Sequence, residues 1–122
     1  VIVGRSPVVG RPLAMLFLKE HATVTVCHTR TRELERVCRE AEILVAAAGN
    51  PRMIGADHVR EGAVAVDVGI NVDENGKLCG DMDFEAVAGK ASMVTPVPGG
   101  VGAVTTSVLA EHLVRAAAMR RA

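Results

Sequence analysis

A glycine-rich loop near the start of the chain has the composition of a phosphate-binding turn. It runs from Gly4 through Arg5 and Ser6 to Gly10, and Pro12 then opens a helical pattern. Glycine lets the backbone pass close to a pyrophosphate, and the start of a helix offers unpaired N–H groups and a partial positive charge. The spacing differs from G-x-G-x-x-G, so a turn made only for packing stays as the alternative. The order of strand, loop and helix favours binding of a dinucleotide phosphate.

The second predicted strand ends in hydroxyl and cationic groups rather than in an acid. Thr29 follows this strand, and the first acid after it is Glu33. In NAD-preferring folds an acid at this strand end binds the ribose hydroxyls, whereas a hydroxyl and cations suit a 2′-phosphate. One charged hydrogen bond contributes on the order of 1.5–3 kcal/mol, and about 1.4 kcal/mol is tenfold in affinity. We therefore predict NADP as the cofactor, with Arg5 and Thr29 near the phosphate. Arg30 and Arg32 are also consistent with a solvated helix start.

A segment with two prolines and three glycines follows the last predicted strand. It covers residues 95–102 and reads Thr-Pro-Val-Pro-Gly-Gly-Val-Gly. Such a segment makes a rigid wall with few side chains, because proline fixes the backbone and glycine carries no Cβ. A flat ring can lie against such a wall. The alternative is a plain strand-to-helix turn, although few turns need so many special residues.

Other groups that often carry chemistry have simpler structural explanations. His28 lies beside a strand end, where a lone histidine is more often structural than a catalytic base. The other three histidines show no metal-ligand spacing to cysteines or acids. Asp81 and Asp83 suggest a magnesium pair, but a turn and a helix cap account for them. We predict no metal site and no catalytic residue in this chain.

Strand-like and helix-like segments alternate along the chain and position these loops. Short connections between them imply βαβ units, a parallel sheet and right-handed crossovers. The predicted fold class is therefore α/β, a Rossmann-like, doubly wound parallel sheet in three layers (αβα), with ligands at the carboxyl ends of the strands. Predicted strands cover residues 1–3, 23–27, 43–48, 63–68 and 93–96, and predicted helices cover 12–21, 31–41, 56–59, 84–88 and 101–119.

Several local signals refine this assignment. Thr31 and Asp83 are predicted N-caps, and the run Asp73-Glu74-Asn75-Gly76 is a hairpin-type turn. The last helix has an apolar stripe, formed by Val101, Val104, Val108, Leu109, Leu113 and Ala117.

Composition excludes several classes of partner. The chain has 122 residues, a formal net charge of zero and only two aromatic residues, so it offers neither a basic surface nor stacking platforms for nucleic acid. No apolar run approaches the roughly 20 residues of a membrane span. Three irregularly spaced cysteines indicate reduced thiols and a cytoplasmic location. The first strand has only three residues before Gly4, so we expect residues 1–122 to be one domain truncated at its N-terminus.

The motifs together resemble the bifunctional methylenetetrahydrofolate dehydrogenase/cyclohydrolases of one-carbon metabolism. The resemblance is collinear, covers essentially the whole chain, and is most specific in the proline-glycine segment. It rests on Val3-Gly4-Arg5-Ser6, Val9-Gly10-Arg11-Pro12, Thr25-Val26-Cys27-His28, Asp67-Val68-Gly69-Ile70-Asn71, Gly80-Asp81 and the segment 95–102.

The resemblance implies a function and a set of contacts. The family passes hydride from 5,10-methylenetetrahydrofolate to NADP and hydrolyses the methenyl product to 10-formyltetrahydrofolate. The resemblance also implies a homodimer formed through this domain. By motif match, the cofactor would contact Gly4, Arg5, Ser6, Thr29, Ala48, Gly49, Ile70 and Thr105. The folate cleft would be walled by Pro98, Gly99 and Gly100.

Two departures qualify the resemblance. Ala103 stands where the family usually has proline, so the wall is expected to be less rigid. The catalytic lysine and tyrosine and the folate-binding acid of the family lie upstream of this segment, and the chain contains no tyrosine. The chain therefore holds the hydride-acceptor site without the proton-transfer groups. The alternatives are an NADP domain of a shikimate- or amino-acid-dehydrogenase-like enzyme, or a non-catalytic nucleotide-binding module.

Overall fold

The computed structural model describes residues 1–121 and consists of a parallel sheet with helices on its faces. The strands are Ile2–Val3 (β1), Val26–Cys27 (β2), Ile43–Ala46 (β3), Val64–Asp67 (β4), Asn71–Val72 (β5), Leu78–Cys79 (β6) and Met93–Val94 (β7). The helices are Gly10–Lys19 (α1), Leu34–Cys38 (α2), Phe84–Ala88 (α3) and Val101–Arg121 (α4), with a 3₁₀ turn at Ala56–His58. The strands are shorter than predicted, and the α/β class is confirmed.

The chain reverses its direction across the sheet at β1. The order is β2-β1-β3-β4-β7 with parallel pairing throughout, and β5 and β6 form a separate antiparallel hairpin. Right-handed crossovers therefore place α1 on one face and α2, the 3₁₀ turn and α3 on the other. In open α/β sheets, ligands bind at the carboxyl edge beside such a reversal, which here lies between β1 and β3.

The main core lies between the sheet and the helices α2 and α3, which cover one of its faces. β3 is an apolar run in the middle of the sheet, and its Leu44 is fully buried. Cys38, Ile54, Val59 and Val87 pack against the same face and are also fully buried. Burying an aliphatic side chain of this size contributes roughly 1.5–3 kcal/mol, so this layer fixes the sheet that presents the strand ends.

One predicted helix cap is wrong and one is confirmed. Thr31 does not cap α2, because its Oγ1 accepts a hydrogen bond from the N–H of His28 at 2.9 Å and closes a local turn. The cap position is Glu33, which has a left-handed backbone (φ 52°). Asp83 caps α3 as predicted, accepting from the N–H of Ala86 at 3.3 Å.

The predicted hairpin turn joins β5 to β6. Asp73 Oδ1 accepts hydrogen bonds of 2.9 Å from the N–H groups of Asn75 and Lys77, and the Arg52 guanidinium lies 3.0 Å from Asp73 Oδ2. These bonds, led by the one from Lys77, lower the pKa of Asp73. The carboxylate thereby holds the turn in one conformation.

Helix α4 is exposed along its length. Its predicted apolar stripe is not buried: Val108 is 42% exposed and Leu113 is 71% exposed. Val114 and Met119 add exposed apolar surface outside the stripe, so this helix has apolar side chains on more than one side. Among residues 1–121 no element packs along α4, which explains why the stripe meets no core.

Candidate functional site

A cleft of about 630 Å³ opens at the carboxyl edge of the sheet and is called the main cleft below. It lies between the loop after β4, the segment 95–102 and the first turn of α4. Of the predicted site residues, Ile70, Pro98, Gly99, Gly100 and Thr105 line it, together with Val9, Asp67, Val68, Gly69, Leu78, Pro96, Val97, Val101, Gly102, Ala103 and Thr106. The other predicted residues lie on neighbouring strand ends outside its lining.

The loop after β1 is packed so tightly that two of its glycines admit no side chain. A Cβ on Gly4, where φ is +130°, would overlap the carbonyl oxygen of Ala47 at the end of β3. A Cβ on Gly10 would overlap the carbonyl oxygen of Gly4. The start of α1 and the end of β3 therefore both lie against the loop backbone. The two glycines are therefore required by packing within the protein, and the fit to a pyrophosphate rests on the unpaired N–H groups of the residues between them.

Most of the N–H groups without an acceptor in this region lie in the loop before α1, and few lie in the first turn of α1. The N–H of Arg11 donates to the Ser6 carbonyl at 3.0 Å, Leu13 donates to Val9, and Pro12 has no N–H. Ser6 Oγ accepts from the N–H of Val9 at 3.0 Å, which leaves its hydroxyl proton free to donate. Within residues 1–121, the N–H groups of Arg5, Ser6, Val8 and Gly10 have no acceptor. The loop itself therefore supplies most of the donors that the helix start was expected to supply.

Four arginines in the loops after β1 and β2 and at the start of α1 are exposed. Arg5, Arg11, Arg30 and Arg32 are exposed, and in the described part of the chain none has a carboxylate within 4.0 Å. Thr29 is exposed beside them. Cations without internal partners are available to an anionic ligand, as the prediction of a 2′-phosphate requires.

His28 has a structural role in this loop. Its Nδ1 accepts a hydrogen bond from the N–H of Arg30 at 3.1 Å, and its carbonyl accepts from Thr31 at 2.9 Å. The ring and backbone of His28 thus shape the loop that presents Thr29.

The loop after β3 is held by a buried carboxylate. Asp81 is 0% exposed, and its Oδ2 accepts from the N–H groups of Ala48 at 2.6 Å and Gly49 at 2.9 Å. Its Oδ1 accepts from the N–H of Asn50 at 3.0 Å and from Asn71 Nδ2 at 2.9 Å. Asp81 is therefore neither a simple turn residue nor half of a magnesium pair.

A second buried carboxylate lies next to it. Asp67 Oδ1 accepts from the N–H groups of Gly69 at 2.9 Å and Asp81 at 3.0 Å, and Oδ2 accepts from Met82 at 2.9 Å. Burial raises the pKa of Asp67, against these hydrogen bonds. The N–H of Asp67 donates to Thr95 Oγ1 at 2.8 Å and connects β4 to the start of the 95–102 segment.

The roles of Asp67 and Asp81 were not predicted from the sequence. The available signal was an acid at the end of an apolar strand, in Asp67-Val68-Gly69, followed by a second acid after Gly80. A buried acid in such a place must have hydrogen-bond partners, but the pattern does not name them.

The segment 95–102 forms one wall of the main cleft. A Cβ on Gly100 would overlap the carbonyl oxygen of Pro96, so the turn closes tightly before α4 begins. Thr105 lines the cleft, and its hydroxyl donates to the Val101 carbonyl at 3.1 Å. Ala103 lies in the first turn of α4 with its N–H donated to Gly100 at 3.2 Å, a bond that proline could not make.

The described residues bring no metal cluster together. Within 1–121, no group of three or more His, Cys, Asp and Glu side chains is arranged to hold a metal ion. Within the same range, none of the helices combines the length and the apolar character that a membrane span requires.

A parallel sheet whose carboxyl edge combines a glycine-bounded loop with unpaired N–H groups, unpaired arginines and an open cleft defines an α/β dinucleotide-binding domain. The family model of the tetrahydrofolate dehydrogenase/cyclohydrolase NAD(P)-binding domain matches residues 1–121. The chain therefore belongs to this family, and the predictions of family and of an NAD(P) cofactor are confirmed.

Relatives and solved structures agree with this assignment. The chain is 58% identical over 115 residues to the bifunctional protein FolD of Clostridioides difficile, covering 94% of this chain and 40% of the relative. It is 59% identical over 116 residues to that of Alkaliphilus oremlandii, with 95% and 41% covered.

Two solved structures extend the comparison. The bifunctional enzyme FolD from Campylobacter jejuni is 48% identical with a TM-score of 0.92, covering 98% of this chain and 42% of that one. The Trypanosoma brucei methylenetetrahydrofolate dehydrogenase-cyclohydrolase, solved with NADP and an inhibitor, is 39% identical with a TM-score of 0.80, covering 88% and 39%. The chain thus spans about two fifths of the length of the proteins it matches.

Proposed function

We propose that this chain is the NADP-binding domain of a protein that oxidises 5,10-methylenetetrahydrofolate and hydrolyses 5,10-methenyltetrahydrofolate to 10-formyltetrahydrofolate. The observation that carries the proposal is the main cleft lined by both Ile70 and the 95–102 wall, in a chain of this family. Both activities are assigned to the intact protein, because the chain spans only about two fifths of its relatives.

The phosphate end of the cofactor is assigned to the loop after β1. Bound NADP supplies the hydride acceptor, and the protein binds and orients it. Ser6 holds the phosphates through its backbone N–H and its hydroxyl, with Arg5 and Thr29 at the 2′-phosphate. Gly4, whose N–H already donates to the Cys27 carbonyl at 2.8 Å, contacts the phosphates by close approach of its backbone. The exposed and unpaired state of Arg5 supports this role.

The nicotinamide end is assigned to the main cleft. Ile70 and Thr105, which line the cleft, face the nicotinamide, while Ala48 and Gly49, outside the cleft after β3, line the ribose and nicotinamide from the neighbouring strand end. The folate ring lies against the wall made by Pro98, Gly99 and Gly100. Ile70 is 70% exposed and lines the cleft, which leaves an apolar side chain available to a ring.

The proton-transfer groups are assigned to an upstream folate domain of the intact protein. The chain has no tyrosine, and none of its lysines, Lys19, Lys77 and Lys90, lines the main cleft. Lys77 lies in the β5–β6 turn, and Lys90 Nζ donates to the Ala56 carbonyl at 3.1 Å. The isolated chain is therefore expected to bind NADP without turnover. The family match argues against the shikimate- or amino-acid-dehydrogenase-like alternative.

The test is a steady-state assay of the intact protein with each folate substrate. We expect NADP-dependent oxidation of methylenetetrahydrofolate, and Arg5→Gln should raise KM for NADP by roughly tenfold or more through loss of a charged hydrogen bond. The matched control is Arg36→Gln, because Arg36 lies on α2 and, within residues 1–121, pairs only with Glu33 and Glu40. An intact protein that binds NADP but converts neither substrate would favour the non-catalytic alternative.

We also propose a homodimer formed through this domain and a cytoplasmic location. Val72 and Leu78 of the β5–β6 hairpin are 63% and 51% exposed, and such apolar surface favours an interface. The three cysteines are unpaired, as expected in a reducing compartment. Light scattering should give a dimer that Val72→Asp dissociates, and a wild-type monomer would contradict the first proposal. Recovery of the native protein from a membrane fraction would contradict the second.

A further inference from the structure

The end of β3 forms an anion nest that the protein fills with its own carboxylate. Successive N–H groups converging on one point bind anions such as phosphate. In this chain the N–H groups of Ala48, Gly49 and Asn50 all donate to Asp81. The nest is therefore not free to bind a cofactor phosphate, and its loop is held as a fixed surface.

The same carboxylate connects the two sides of the site. Asp81 Oδ1 accepts from the side chain of Asn71, which follows Ile70 directly. Ala48 and Gly49 lie on one side of the site and Ile70 lies on the other. In the sequence, Ile70 is 22 residues from Ala48 and 21 residues from Gly49. One buried group thus sets the separation of two segments that both face the proposed cofactor.

Close packing leaves this connection little freedom. A Cβ on Gly69 would overlap the Asp81 carboxylate, and a Cβ on Gly80 would overlap the Asp67 carboxylate. Asp67 in turn holds the N–H groups of Asp81 and Met82. Among residues 1–121 Asp81 has no cationic partner, so its burial depends on these donors alone.

We propose that Asp81 is a positioning residue for cofactor binding: it holds the Ala48–Asn50 loop and the Ile70 segment in the separation that the cofactor needs. This inference rests on the proposed function, because it takes these segments as the cofactor-facing surface. Pre-organised loops bind a ligand more tightly because less ordering is needed on binding.

Asp81→Asn is the sharpest perturbation, since it keeps the shape and removes one acceptor. Asparagine offers one carbonyl oxygen in place of two carboxylate oxygens. The Asn71 amide can rotate to accommodate the new NH₂ group, but a backbone N–H cannot. At least one N–H in 48–50 must therefore lose its acceptor, whichever way the new amide turns.

The experiment measures NADPH binding by calorimetry and amide hydrogen exchange in the peptide covering 48–50, both on the intact protein. We expect Asp81→Asn to weaken NADPH binding roughly tenfold, about 1.4 kcal/mol, and to speed exchange at 48–50. Asn71→Ala, which removes one donor and leaves the nest intact, should weaken binding roughly threefold. It keeps the test decisive if Asp81→Asn does not fold.

Two controls separate positioning from loss of stability. Asp83→Asn makes the same chemical change two residues away, at an exposed helix cap where asparagine also serves. Val87→Ala removes buried volume from α3, away from the cleft. Both should keep wild-type NADPH affinity and wild-type exchange at 48–50.

The outcomes are distinguishable. Faster exchange with unchanged NADPH affinity in Asp81→Asn would overturn this inference alone, and so would an equal loss of affinity in Val87→Ala. No NADPH binding by the wild-type protein would overturn the proposed function and the inference together.

Discussion

Replacing Gly4 by alanine tests the packing of the phosphate loop. Gly4 has φ +130°, and its Cβ would overlap the carbonyl oxygen of Ala47. A backbone conformation of this kind costs an L-residue roughly 1–3 kcal/mol, and overpacking costs roughly 1–3 kcal/mol. The overlapped atom is backbone in the sheet and cannot rotate away. We therefore expect Gly4→Ala to lower the free energy of unfolding by roughly 2–6 kcal/mol, a large part of the 5–15 kcal/mol typical of a domain.

The assay is urea unfolding followed by circular dichroism, with Gly62→Ala as the matched control. Gly62 has φ +79° and nothing within 4 Å of its Cβ, so its substitution adds backbone strain without overlap. Gly4→Ala should therefore be more destabilising by the overlap contribution, roughly 1–3 kcal/mol. Equal losses in the two variants would refute the idea that the end of β3 lies tightly against this loop.

Two further predictions concern buried groups. Burial raises the pKa of Cys38 from 9.0 to about 12. Above about pH 9 unfolding therefore releases the thiol proton. The free energy of unfolding falls as pH rises from about 9 towards 12, by at most about 1.4 kcal/mol per pH unit. In urea unfolding, Cys38→Ala should lose less stability than the wild type over this pH range. Equal losses in the two proteins would contradict the prediction. Thr95→Val removes the acceptor of the Asp67 N–H and should lower the free energy of unfolding by roughly 1–3 kcal/mol. The control Thr23→Val, at an exposed position, should change it by under about 0.5 kcal/mol. Equal effects of the two threonine variants would contradict this role of Thr95.

Features set by neighbouring residues were predictable from the sequence. The Asp73 turn and the Asp83 cap each depend on atoms within four residues, and both form as predicted. The α/β class followed from the alternation of apolar runs. Local structure explains the failure at Thr31: its hydroxyl closes a turn with the N–H of His28, and α2 begins only at Leu34, after Glu33 at the cap position.

Features set by distant residues were not predictable in the same way. Asp81 and Ala48 are 33 residues apart, and only the folded sheet brings the carboxylate to the end of β3. The apolar stripe of α4 was correctly read as helical, but a periodic pattern does not say which surface covers it. For the candidate site, the resemblance to the family implied Ile70, Pro98 and Thr105 as site residues, and the three share the main cleft.

The most direct test of the central claim compares the binding of NADPH and NADH to the intact protein by calorimetry. The unpaired Arg5 after β1 and Thr29 after the paired strand β2 predict at least roughly tenfold tighter binding of NADPH, and Arg5→Gln should remove most of that preference. Equal affinity for the two nucleotides, or no binding of either, would contradict the account.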